Sequence, residues 1–321
     1  MKKFALMIAL ALGAAASVPA LAQATAPAAP VANRFAATIE PLERFESGPL
    51  LVERHGSKGR PLILIPGLAS GPWVWQETIR QLMDKNKDEF TIYVLTLPGF
   101  DGRPPLADAP FDSTRVAVRE LITKRKLDQP ILIGHSLGAT MSLAVAQDLG
   151  SRIGGVIALD GLPVFPGTED MPPQARPQMA ASISGRMAAS NPAAFADQQR
   201  QYMRSQGVLD IGKADDITPL LLRSDREAVG AWVADLLAQD LRPGLKNITA
   251  PVLVVAPFYQ YDVPQGPQGA MRVDDKIAHY HDLMDGVANL EVVPIAPARH
   301  FLMIDQPLAL AGVLRRFLDR R

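Results

Sequence analysis

Gly134, His135, Ser136, Leu137 and Gly138 form a G-x-S-x-G pentapeptide set between two apolar runs of different character. Before it, Pro130 to Ile133 is a short continuous apolar run, the pattern of a parallel strand buried on both faces. After it, Leu137 to Leu149 is apolar on nearly every side and reads as a helix sandwiched against a sheet. A strand that turns directly into a helix needs a tight corner, and small residues two places either side of the serine let the backbone pass. The serine hydroxyl then stands at the top of the sheet, with the helix N-terminus directed at whatever it attacks.

The rest of the chain repeats this rhythm. Leu50–Glu53 reads as an edge strand, Pro61–Ile65 as a buried strand ending in Pro66-Gly67, and Phe90–Leu95 as another closed by Pro98-Gly99. Further strands are expected at Gly155–Leu159, Pro251–Val255 and Leu290–Val293. Helices are expected from Trp73 to about Lys85, after Ser113 as N-cap, and from Asp305-Gln306-Pro307 to the end of the chain. Alternation of this kind argues for an α/β fold with a mostly parallel, doubly wound sheet. Between residues 161 and 245 the rhythm stops. Pro-rich loops alternate there with helical segments carrying Met171, Met179, Met187 and Met203, as expected of a helical cap inserted over the strand ends. The core is therefore expected at 41–160 and 246–321.

The N-terminus stands apart from this pattern. Lys2 and Lys3 precede an apolar stretch from Phe4 to about Ala16, and Ala20-Leu21-Ala22 is a small-x-small cleavage site, so residues 1–22 read as a signal peptide. The stretch is shorter than the roughly 20 residues a membrane span needs, so no stable membrane insertion is expected once it is cleaved. Residues 23–40, rich in Ala and Pro at first, read as a flexible linker. Export to the periplasm or beyond is the expected destination. The chain has no cysteine, which excludes a thiol nucleophile, thiolate metal sites and iron–sulfur chemistry. Its 33 Lys and Arg balance 33 Asp and Glu, and nothing in their distribution points to nucleic acid as a partner.

A serine hydroxyl becomes a nucleophile only with a base in hydrogen-bond reach and a carboxylate that orients the base. The chain has five histidines. His55 lies near the edge strand, and His135, inside the pentapeptide, is expected to point away from Ser136. His279 and His281 sit two apart on a helix, on different faces, and make a poor metal pair. His300 follows the last strand and lies at the carboxyl ends of the strands with Ser136, where ligands bind in open parallel sheets. For the acid, Asp262 after the strand Pro251–Val255 is preferred, with Asp160 at the end of the preceding strand as the alternative. Asp274 and Asp275 read as helix caps. Backbone donors for a developing oxyanion are expected at Leu137 N–H and, from the loop after the first core strand, Leu68 N–H.

Four segments together carry a resemblance: Leu62–Leu68, Leu97–Gly102, Gly134–Gly138 and Arg299–Pro307 are similar to the successive landmarks of the α/β-hydrolase fold. The likeness runs from about residue 50 to the C-terminus and is weakest in the inserted segment. It implies a triad of Ser136, His300 and an acid, an oxyanion hole at Leu68 and Leu137, and a cap at about 161–245. Two departures stand out: the usual His-Gly of the oxyanion loop is Pro66-Gly67, and the segment Val263–Arg272 is longer than the usual connection after the acid. The activity implied is hydrolysis of a carboxylic ester, lactone or small acyl ester through an acyl-serine, with no metal or organic cofactor. Alternatives on the same fold are amide, peptide or carbon–carbon bond hydrolysis, or a catalytically silent binding protein. Aspartate-nucleophile chemistry is excluded by the serine at 136. The expected partner is a small-molecule acyl substrate, with an apolar acyl group favoured; Trp73 and Trp75 beside the oxyanion loop either line its pocket or pack the adjacent helix.

Overall fold

Runs of residues that are apolar without alternation, such as Leu62–Ile65, Ile131–Ile133 and Val252–Val255, can be strands only where both sheet faces are covered. The computed structural model describes residues 33–36, 39–84, 88–262, 265–266 and 269–320. In it β1 (Glu43–Ser47), β2 (Leu50–His55) and β3 (Arg60–Ile65) lead through a 3-10 turn at Pro72–Trp75 into α1 (Gln76–Met83). Then come β4 (Phe90–Thr96), α2 (Pro110–Lys124), β5 (Ile131–His135), α3 (Leu137–Leu149) and β6 (Gly155–Leu159). Four helices follow before the sheet resumes: α4 (Arg176–Ala189), α5 (Pro192–Tyr202), α6 (Ile211–Leu221) and α7 (Arg226–Ala238). The chain ends with β7 (Val252–Pro257), the short strands β8 (Gln265–Gly266) and β9 (Gly269–Ala270), α8 (Val273–Leu283), β10 (Leu290–Ile295), α9 (Leu302–Asp305) and α10 (Pro307–Leu318).

Eight strands form one sheet in the order β1-β2-β4-β3-β5-β6-β7-β10, parallel from β4 to β10 and antiparallel at β1 and β2. This is the expected α/β class with a doubly wound sheet. Register aligns the strand ends: Ile65 faces Gly134, His135 faces Leu159, and Leu159 faces Val255. The residues immediately beyond β3, β5 and β6 therefore emerge side by side at one edge.

Three local expectations are corrected. Leu50–His55 is not the edge strand, because β1 pairs outside it through a hairpin at Gly48. The residues of β1, Glu-Arg-Phe-Glu-Ser, alternate between exposed and half-buried and carry too little apolar signal to stand out. Ser113 does not cap a helix: α2 starts three residues earlier with Pro110 at its first position, where a missing N–H costs nothing. Trp73 and Trp75 belong to the 3-10 turn and not to α1.

The expected signal peptide and residues 23–32 of the linker lie outside the described residues. The last linker residues are tied to the body: Asn33 donates to the Asp216 carbonyl, Arg34 pairs with Asp216 at 2.7 Å, and Ile39 N–H donates to Gln76.

The four-helix insertion is stitched to the core. Trp232 of α7 is fully buried, packs on Phe100 at 5.6 Å and Phe111 at 6.5 Å, and donates its indole N–H to the Pro98 carbonyl at 3.0 Å. Asp225 N–H donates to Gly99 O at 2.7 Å, and the Ser224 hydroxyl to Ala69 O at 2.9 Å. Within the insertion itself, buried Arg176 of α4 donates to the carbonyls of Thr168 and Leu237 and ties its two ends together.

The β5–α3 corner depends on close backbone passage. A Cβ on Gly138 would stand 2.1 Å from the Ile65 carbonyl oxygen, a backbone atom that cannot rotate away. Gly138→Ala is expected to cost about 2–3 kcal/mol, read as a fall in the urea midpoint with an unchanged slope. A midpoint equal to wild type would mean that the corner is looser than described.

Candidate functional site

Ser136 leaves β5 with φ +54° and ψ −119°, a region that a side-chain-bearing residue occupies only when its surroundings hold it there. Its N–H continues the sheet by donating to Leu159 O at 2.9 Å, and its carbonyl accepts from Ala139 and Thr140 in the first turn of α3. The sharp turn lifts the hydroxyl off the sheet into a cavity. Leu137, the first residue of α3, carries one of the orphan N–H donors of a helix start. The loop from Gly67 to Ser70, closed by Ser70 N–H on Gly67 O, runs directly against this corner; a Cβ on Gly67 would reach Ser136 Cβ at 3.2 Å and His135 Nδ1 at 2.7 Å. Leu68 of that loop lines the cavity beside Ser136 and His300.

His300 Nδ1 lies 2.6 Å from Asp160 Oδ2, with the two side chains 18% and 13% exposed. The carboxylate at the histidine is thus Asp160. Asp262, preferred from sequence, is held by Arg299, whose Nε and Nη2 meet its two oxygens at 2.6 and 2.8 Å. The reason lies in strand order. Asp160 leaves β6, the neighbour of β5, with φ +45° and its N–H on Val255 O, so its side chain turns toward the Ser136 corner. Asp262 lies beyond β7, one strand further out, where the guanidinium next to His300 in sequence claims it.

Two residues not singled out for the site brace this pair. Tyr280 on α8 donates its hydroxyl to Asp160 Oδ1 at 2.6 Å, so both carboxylate oxygens are bonded. Burial alone would raise the Asp160 carboxyl, but Lys276, the His300 hydrogen bond and charge, and the Tyr280 hydroxyl outweigh it and hold the group below the usual carboxylate range. Burial drives the Tyr280 phenol far upward, and the Asp160 charge adds to it, so the phenol stays protonated as donor. His135 points away from the serine, as expected, yet not into idle core. Its Nε2 donates to the His300 carbonyl at 3.0 Å, and its ring lies 4.6 Å from that of His300, tilted by 50°. The signal for Tyr280 and Lys276 was their i, i+4 spacing, which puts them on one face of α8 while His279 and His281 occupy others.

The cavity has two arms that share Ser136, Phe165, Tyr202, Leu236 and His300. One, of about 220 Å³, runs toward Asp160, Lys276, Tyr280 and Tyr259. The other, of about 190 Å³, runs under the insertion between Leu68, Met187, Val229, Val233 and Phe301. Trp73 and Trp75 line neither; both are buried and pack the core, Trp73 stacking on Phe301 at 6.5 Å. Of the methionines in the insertion, Met187 alone among the four lines the cavity, while Met203 is fully buried and Met179 is exposed. His55 is buried beside Glu53, away from the site. Among the described residues no cluster of His, Asp and Glu is arranged to hold a metal ion, and no helix is long and apolar enough to cross a membrane.

The sequence model of the alpha/beta hydrolase family matches residues 62–313. The chain belongs to the alpha/beta hydrolase family. The match spans the Ser136 corner, Asp160, the insertion and His300. No curated protein is significantly similar to the chain in sequence. Solved structures with the same fold include MenH from S. aureus, 17% identical at a TM-score of 0.68 over 84% of this chain and 98% of that one. A thermophilic esterase from Thermogutta terrifontis is 18% identical, TM-score 0.68, over 87% and 98% of the two chains. The enol-lactonase from Burkholderia xenovorans LB400 is 16% identical, TM-score 0.67, over 86% and 100%. At these identities the likeness is one of fold.

His135 generates a pH prediction. Burial, reinforced by the His300 charge, pushes its imidazole down to about 3, so the folded chain keeps it neutral where an unfolded chain protonates it near pH 6.5. Between those values the unfolded state binds the extra proton, so stability falls as pH falls from about 6.5 toward 3. His135→Gln is expected to flatten that limb of a melting-temperature profile, whatever its effect at pH 8. An unchanged slope would remove His135 as the titrating group.

Proposed function

We propose that this protein is a serine hydrolase that cleaves a carboxylic ester through an acyl-serine at Ser136. The observation that carries the reading is the 2.6 Å contact of His300 Nδ1 with a buried carboxylate, while the same imidazole and Ser136 line one cavity. With Nδ1–H donating to Asp160, the other ring nitrogen is left as the base, which is the tautomer nucleophilic catalysis requires. His300 takes the Ser136 proton as the hydroxyl attacks the acyl carbon, and Leu68 and Leu137 N–H groups receive the charge that develops on oxygen. His300 returns the proton to the leaving alcohol. It then activates a water that hydrolyses the acyl-serine. Asp160 stays ionised throughout, orienting the ring and stabilising the imidazolium; Tyr280 and Lys276 support it in that state.

Several features favour an ester over a peptide. A peptidase that reads a free amino terminus needs a carboxylate open to the substrate, and the cavity-lining carboxylates, Asp160 and Asp262, both have their oxygens engaged. Elsewhere in the insertion Asp215 pairs with Arg204 and Asp216 with Arg34. The apolar arm between Leu68, Met187, Val229, Val233 and Phe301 suits an apolar acyl group, and the insertion acts as its cap. The N-terminal pattern supports export, which places the reaction in the periplasm or outside the cell.

A fluorophosphonate probe is expected to label Ser136 in the purified chain and to fail with Ser136→Ala or His300→Ala. No labelling of folded wild type would sink the mechanism. Asp160→Asn is expected to lower kcat on p-nitrophenyl esters by up to ~10⁴-fold. Asp262→Asn should lower it far less, and the reverse order would restore Asp262 as the orienting acid.

A further inference from the structure

The cavity arm next to α8 holds a cation that the catalytic reading leaves only partly employed. Lys276 lies one turn before Tyr280 on the same face of α8, lines the arm, and sits 5.3 Å from the Tyr280 ring centroid. Among the described residues its ammonium donates one hydrogen bond, to the Pro257 carbonyl at 2.5 Å, and no carboxylate lies within 4.0 Å of it. An ammonium has three donors. The charged groups around it are otherwise committed. Asp160 has His300 on one oxygen and Tyr280 on the other. Asp262 is held by Nε and Nη2 of Arg299, and Arg299 spends Nη1 on the carbonyls of Arg204 and Val208. Arg299 is neutralised by Asp262 and keeps a single Nη2–H, so among the described residues Lys276 is the cation of this arm without a carboxylate partner, and it has two donors still to place. A neutral, wholly apolar substrate would leave those donors without partners in a confined space, which costs free energy.

We propose that Lys276 determines specificity, and that the substrate is an ester carrying a carboxylate, which the Lys276 ammonium receives in the arm beside α8. This rests on the serine-hydrolase reading and narrows its substrate class to anionic esters, with the apolar part of the substrate lying under the insertion. Lys276 is close enough to influence Asp160 as well, so its removal changes more than one thing. The ratio of turnover on matched anionic and neutral esters separates the two, because any loss through Asp160 acts on both substrates and cancels.

The experiment uses two pairs of esters, each corrected for its own rate of alkaline hydrolysis. Mono-p-nitrophenyl adipate against p-nitrophenyl hexanoate places the carboxylate on the acyl side, on a chain too long for it to expel the phenolate through a five- or six-membered anhydride; 4-acetoxybenzoate against phenyl acetate places it on the leaving group. Wild type is expected to favour the anionic member of at least one pair in kcat/KM, chiefly through a lower KM. Lys276→Met should cut that ratio roughly tenfold or more, the size expected for a hydrogen bond to a charged group. Lys276→Arg should retain most of it. Wild type favouring the neutral member of both pairs, or a ratio that Lys276→Met leaves unmoved, overturns the inference. The wild-type ratio decides on its own if the variants do not fold. Turnover of neutral esters that depends on Ser136 but shows no anionic preference sinks this inference and spares the hydrolase reading; absence of both labelling and turnover sinks both.

Discussion

Ser136 sits where a residue with a side chain does not willingly sit, and the molecule around it is arranged to keep it there. Its positive φ is held from three directions: the N–H is bonded into β6, the carbonyl starts α3, and the Gly67 loop presses on the side-chain side. Remove any of the three and the backbone would relax toward an ordinary helix start, dropping the hydroxyl back against the sheet. Backbone strain of this kind is of order 1–3 kcal/mol and persists only because packing over-determines it. The buried runs of β3, β5 and β6 on either side supply that packing, so the sheet's apolar character is what keeps the hydroxyl exposed.

The same arrangement explains how a carboxylate survives inside the fold. Asp160 is largely removed from water, and a buried anion without partners is unstable. Here it is satisfied at both oxygens, with a cation close by, and its own backbone repeats the strand-end turn of Ser136 one strand over. Two adjacent parallel strands each end in a positive-φ residue, one bearing a hydroxyl and the other a carboxylate, and His300 bonds the second and lines one cavity with the first.

Strand-to-helix punctuation made most of this visible in the sequence. Ser136 and the Gly67–Ser70 loop could be picked out because each follows a buried apolar run, β5 and β3, whose ends the register brings together; His300 stood out only by its place after the last strand, since β10 is mostly half-buried. The acid was not legible in the same way. Both Asp160 and Asp262 follow strands, and choosing between them needs the knowledge that Arg299 lies against Asp262, a contact across 37 residues. Tyr280 was hidden by its neighbours: on α8 the histidines drew attention, while the bond that matters comes from a tyrosine whose hydroxyl crosses to β6. The hairpin strand β1 was missed because its alternation is of charged and half-buried residues, and hydrophobic period is blind to that.

The loop that carries His300 hangs on the insertion by its own main chain. His300 N–H donates to Gln206 O at 3.2 Å and Phe301 N–H to Gly207 O at 2.9 Å, and both acceptors come from a single π-helical turn at Met203–Gly207. A covering element fastened in this way is not a door on a free hinge. Swinging the α5–α6 junction outward would pull on the main chain of His300 and so shift its ring within the cavity it shares with Ser136. An exchange of this insertion for that of a relative would therefore carry the position of His300 along with the shape of the pocket.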